Sequence, residues 1–167
     1  MAGLELAERE LTDIGRIGRS SSARAPDHAG AAASQLAWCH GKPGVALALK
    51  AASKGGDKRK IDATVSAVIS AINSSPLERS DCICHGNLGN LLLVRELMDD
   101  ELRAGISSGL ERKVVRRISR HGVVCGNFGL ETAGLMEGLA GMGLALLKLA
   151  EPARIPNVLI LEPASAG

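Results

Sequence analysis

Cysteine followed by histidine occurs twice in this chain, and each pair opens the same pattern: Cys39-His40-Gly41-Lys42-Pro43-Gly44 and Cys84-His85-Gly86-Asn87-Leu88-Gly89. Thiolate and imidazole are the side chains zinc prefers, in structural and catalytic sites alike. The two pairs therefore offer four candidate ligands, Cys39, His40, Cys84 and His85. Binding by all four would close a tetrahedral shell and make the metal structural. Binding by three would leave a position for water or substrate. Adjacent Cys and His side chains diverge, which works against one ion taking both members of both pairs, but the residues alone leave the choice open. The competing reading is two free core cysteines with two surface histidines.

The remaining reactive residues invite plainer readings. Cys82 could point the same way as Cys84 along an extended approach, but it reads better as a small core residue. Cys125, before Gly126, is either an auxiliary thiol or, more simply, a buried spectator. His121 ends a basic helix, where it would cap carbonyls, and His28 sits in a polar stretch open to solvent. Trp38 reads as packing beside the first turn, its other use being to shape a substrate pocket. Arg112, Lys113, Arg116, Arg117 and Arg120 lie opposite Val114, Val115 and Ile118 and read as a solvated helix face, whose other use would be to anchor an acidic peptide. The acidic residues fall on helix faces rather than in the repeated turns. That disfavours a helical-hairpin glycoside hydrolase, which needs a carboxylate pair about the sugar.

The elements that must position these groups repeat. The first turn is followed by VALALKAASK, the second by NLLLVRELMDD, and a third, Gly138-Leu139-Ala140-Gly141, by MGLALLKLAE. The spacing is roughly 50 residues, in the range of stacked repeat architectures. Between them lie amphipathic stretches, clearest at IDATVSAVISAIN over 61–73. Each period is a turn, an apolar inner helix, a loop and a more polar outer helix, so the chain reads as an all-α array of helical hairpins. Stacked hairpins start their inner helices at one level, which brings Cys39 near Cys84. Gly126-Asn127-Phe128-Gly129 is a weaker echo of the turn. Upstream, Leu4, Ala7, Leu11 and Ile14 predict a helix over 3–19, and SSSARAPDHAGAAA over 20–33 predicts a linker.

Bulk properties narrow the function classes. The 167 residues are 46% hydrophobic and 23% charged, with 20 glycines but only one Trp, one Phe and no Tyr. The core must be aliphatic, and the aromatic platforms of single-stranded nucleic-acid binders are missing. A net charge of +2 implies neither nucleic acid nor an anionic membrane as main partner. No apolar run approaches the roughly 20 residues of a membrane span, and the N-terminus lacks a secretory h-region. A cytoplasmic protein is expected, in which the four cysteines are ligands or free thiols rather than disulfides.

WCHGKPG at 38–44, CHGNLGN at 84–90 and GLMEGLAGMGLALLKLAEPARIPNVLILEP at 134–163 resemble the lanthionine synthetase C-like cyclases. They are most similar to the C-terminal cyclase domain of class II lanthipeptide (lantibiotic) synthetases. The resemblance covers 34–163, leaving 1–33 as an N-terminal helix and linker and 164–167 as a tail. It implies an α/α toroid of seven hairpins, of which about three are present here, with Zn2+ at the inner-helix turns. It further implies Cys39, Cys84 and His85 as ligands, not His40, and an open fourth position. The implied activity is addition of a peptide cysteine thiolate to dehydroalanine or dehydrobutyrine, with a dehydrated ribosomal precursor peptide as partner.

The resemblance places the family's acid/base residues in earlier repeats, and the chain is expected to contain neither those repeats nor a dehydratase domain. A truncated piece is therefore expected, with the rest of a split synthetase as a further partner and His40 and His121 as the remaining candidates for the acid. The alternative is a non-catalytic relic that binds zinc, thiol or peptide. Stopping at about three hairpins should also bare an apolar flank of the first inner helix, at Val45, Leu47 and Leu49, and favour self-association.

Overall fold

The computed structural model describes residues 36–52, 57–98, 100–126 and 130–161, with 100–108 described by their backbone alone. The helix expected over 3–19, the linker with His28, and the part of the echo turn that holds Phe128 lie outside the described residues. Among the described residues there are α-helices and no strand. They are α1 (Lys42–Ala51), α2 (Lys58–Ser74), α3 (Asn87–Leu97), α4 (Asp100–His121) and α5 (Leu139–Ala150), followed by a 3-10 helix (Val158–Ile160).

The inner helices α1, α3 and α5 alternate with the outer helices α2 and α4. α3 is the centre: it packs against α1, α2, α4 and α5. Its residues 87–94 are all buried, with Leu88, Leu91, Leu93 and Val94 fully so. Burial of such side chains is worth roughly 1.5–3 kcal/mol each. The outer helix α2 shows the opposite economy, burying only the stripe Ile61, Val65, Val68 and Ile72. Its start is capped by Asp57, whose side chain accepts from Arg59 N at 3.1 Å.

The three inner helices begin alike. Gly41, Gly86 and Gly138 are N-caps with extended backbone at φ −130°, −119° and −117°, and none has a side-chain cap. The second glycine of each turn is required by space. A Cβ on Gly44, Gly89 or Gly141 would collide with the carbonyl oxygen of Trp38, Ile83 or Leu135 respectively, the residue six earlier each time.

Two expectations are corrected. The third inner helix has no outer helix after it among the described residues. Instead the chain turns after α5 into the 3-10 helix, which seats Leu159 in the core. Trp38 Nε1 donates to Leu159 O at 3.1 Å, tying this end of the chain to the first turn. The exposed apolar flank also lies elsewhere. Leu47 and Leu49 are buried, whereas Leu139 (42%) and Leu147 (54%) on α5 are exposed. The reason is packing: α1 is covered by α2 and α3, while α5 has α3 as its main neighbour. No described helix is long and apolar enough to cross a membrane.

Candidate metal centre

The turns ahead of the inner helices are laced to each other through the middle one. Trp38 N donates to Cys84 O at 3.0 Å, and Cys84 N donates to Met136 O at 3.1 Å. The approach to the middle turn is itself anchored. Asn87 donates from Nδ2 to Ser80 O at 2.9 Å and to Asp81 Oδ1 at 2.9 Å, and its Oδ1 accepts from Glu78 N at 2.7 Å. Asp81 is fully buried, and its Oδ2 receives Val124 N at 3.0 Å and the Arg117 guanidinium. Arg117 also donates to Arg79 O at 2.9 Å. Arg117 is therefore a counter-ion to a buried carboxylate and not part of a solvated face. A charged carboxylate at that depth requires such a partner. Val115, at 42% exposure, likewise stands outside the apolar stripe expected of it.

This lacing brings Cys39, Cys84 and His85 together: one potential ligand atom from each lies within 4.8 Å of the others. Tetrahedral zinc, with Zn–S near 2.3 Å and Zn–N near 2.0–2.1 Å, needs ligand atoms about 3.5 Å apart, so the three fit it after a small contraction. Cys39 is exposed, Cys84 buried and His85 half-buried, so the cluster opens on one side. Burial pushes the Cys84 thiol up to about 12 from an ordinary 9.0, and a hydrogen bond with Cys39 adds to it. The charges of Cys39, Cys82 and Glu137 push it the same way. Every one of these effects opposes a thiolate, and a bound divalent cation reverses that balance. The donor set and its electrostatics thus suit a metal ion.

His40 stands beside the cluster rather than in it. Its Nδ1 is 2.9 Å from Cys39 Sγ, and the residue is exposed. His121 ends α4, also exposed, and lines an open cavity of about 490 Å³ with Arg112, Lys113, Arg116, Arg117 and Arg120. None of the three clustered residues lines that cavity. Cys82 and Cys125 are buried in the core. The Cys82 sulfur accepts from Ser80 Oγ at 3.2 Å and from His85 N at 3.5 Å, so it steadies the turn from beneath. All four cysteines are free.

One residue at the centre was not foreseen. Glu137 Oε1 lies 3.9 Å from His85 Nδ1. The signal for it was present, because Met136-Glu137-Gly138 takes the register of Cys39-His40-Gly41 and Cys84-His85-Gly86. The expectation that acidic residues avoid the repeated turns is corrected by the same observation.

Helical hairpins that gather two thiols and an imidazole at their inner-helix turns define an all-α repeat protein with a cluster at one end that could hold a metal ion. The chain belongs to the lanthionine synthetase C-like family, whose model, described as "Lanthionine synthetase C-like protein", matches residues 11–160. The α/α toroid expected from the sequence is the architecture of this family. No solved structure matches the chain.

Proposed function

We propose that the chain is the zinc-bearing part of a lanthipeptide cyclase of the class II type, forming lanthionine and methyllanthionine rings in a dehydrated precursor peptide. The observation that supports this most is the convergence of Cys39, Cys84 and His85 from two inner-helix turns to within 4.8 Å. These three residues would hold Zn2+, which supplies the positive charge that keeps a peptide cysteine as a thiolate at neutral pH. Two cysteine ligands would neutralise the ion, so a thiolate held there would stay electron-rich and nucleophilic. The exposed side of the cluster is the route by which a peptide would enter.

In the reaction the peptide sulfur bonds to the β-carbon of a dehydrated residue, and a proton is added at the α-carbon. No atoms are lost, so ring closure consumes a thiol without changing mass. The proton requires a donor. Among the described histidines His40 stands at the rim, beside Cys39. His121, in the basic cavity, is the poorer candidate because that cavity contains no member of the cluster. Free thiols as ligands suit a reducing, cytoplasmic setting.

The test is metal content and thiol consumption together. The purified chain should carry close to one zinc, and Cys39→Ala and Cys84→Ala should each lose it. Full retention by either variant would sink the ligand assignment. A dehydrated, cysteine-containing peptide should then lose its free thiol at unchanged mass when the chain is combined with the remainder of a synthetase. Tight zinc without thiol consumption in that setting would favour a zinc- or peptide-binding relic instead.

A further inference from the structure

Three inner-helix turns meet at the centre, and the position before the glycine N-cap is His40 in the first, His85 in the second and Glu137 in the third. Only the second of these is in the ligand cluster. The third turn is fixed against the second by its backbone: Cys84 N donates to Met136 O at 3.1 Å, and Gly126 N donates to Glu137 O at 2.8 Å. Gly138, which follows, has no room for a Cβ because the Thr132 and Gly134 backbones crowd it. The Glu137 side chain is thereby carried to the rim of the cluster, its Oε1 3.9 Å from His85 Nδ1. It is also close enough to Cys84 to raise that thiol.

We propose that Glu137 is a positioning residue for the metal centre: its carboxylate accepts from His85 Nδ1–H, leaving Nε2 as the ring nitrogen with a free lone pair for the ion. A neutral imidazole carries one N–H, so whatever holds that N–H selects the nitrogen that can bind metal. Carboxylates commonly serve this purpose behind metal-binding histidines, and removing one typically weakens metal affinity about 10–100-fold. The remaining 3.9 Å closes to a hydrogen bond with a small rotation of a side chain that is 43% exposed. This inference rests on the proposed metal centre and adds to it the reason why His85, rather than His40, is the imidazole ligand: His40 has its own Cys39 sulfur against Nδ1, at 2.9 Å, and no such carboxylate is paired with it among the described residues.

The experiment is zinc competition with a chelator on the unmutated chain, Glu137→Ala and Glu137→Gln, with 15N NMR of the histidine rings in the zinc-loaded chain. The expected result is affinity about 10–100-fold weaker in Glu137→Ala, partial recovery in Glu137→Gln, whose amide oxygen can still accept, and His85 protonated on Nδ1 and metallated on Nε2. Unchanged affinity in Glu137→Ala, or a His85 metallated on Nδ1, would overturn the proposal. So would a Glu137→Gln variant no better than the alanine. If the unmutated chain binds no zinc, the metal centre itself is wrong, an outcome distinct from tight zinc that ignores Glu137.

Discussion

The first and second turns carry the same Cys-His-Gly-x-x-Gly pattern and come to opposite conditions. At the first, Cys39 and His40 are exposed and face each other. At the second, Cys84 is buried, His85 is half-buried and faces Glu137, and the backbone is bonded to the turns on both sides. The second turn also rests on a buried network of Asn87, Asp81 and Arg117 that no corresponding residues provide for the first among the described residues. One motif thus yields a rigid half-site and an open half-site.

The difference can be broken from beneath the second turn. Arg117→Ala leaves Asp81 buried without its counter-ion, and is expected to cost about 3–5 kcal/mol of stability. Denaturant unfolding with zinc removed measures it. A loss below about 1 kcal/mol would mean that Asp81 finds water or a proton, and that the second turn is no more anchored than the first.

A smaller effect separates the two turns directly. Gly89→Ala and Gly44→Ala both drive a Cβ into a carbonyl oxygen, of Ile83 and Trp38. Overpacking of this kind costs about 1–3 kcal/mol. The middle turn, held on both sides, should sit at the upper end, and the edge turn, which can yield, at the lower end. Equal costs would show that the first turn is as rigid as the second.

Titration sharpens the comparison further. In the metal-free folded chain the Cys84 thiol is raised to about 12 from 9.0. Between those values the folded chain holds a proton that the unfolded chain has released. Metal-free stability should therefore be unaffected by this group below pH 9 and fall as pH rises from 9 toward 12. Unfolding curves at intervals across that range check it, with Cys84→Ser expected to flatten the part of the slope that belongs to the thiol. Zinc should flatten it as well, because the bound thiol has already lost its proton.

The smallest effect is expected at His40. His40→Ala should keep its zinc with little change in affinity, while His85→Ala should weaken it by more than the roughly 10–100-fold typical of losing an outer partner. Chelator competition on both variants decides this. Equal loss would indicate a closed four-ligand shell, and with it a structural metal.

Much of this was legible from the sequence because it depends on local geometry. Glycine pairs ahead of apolar runs mark helix starts wherever they occur, and the repeat of Gly41, Gly86 and Gly138 made a hairpin array the economical reading. Equivalent positions in a stacked array must share a level, so Cys39 and Cys84 could be brought together on paper. The stripe at Ile61, Val65, Val68 and Ile72 followed from helical period alone.

What the sequence could not decide is what lies opposite each residue. The residues alone left four ligands open. Choosing His85 over His40 took the resemblance, and the fold then put His85 and not His40 in the cluster with Cys39 and Cys84. Arg117 looked like its neighbours on a basic face until the chain folded Asp81 beneath it. Leu47 looked exposed and is buried, because burial belongs to the helices that cover a residue and not to the helix that carries it. Glu137 meets His85 across 52 residues of chain for the same reason: helix period and turn chemistry are set by near neighbours, whereas burial, ion pairing and the partner of a ring nitrogen are set by segments far apart, and those meet only in the tertiary structure.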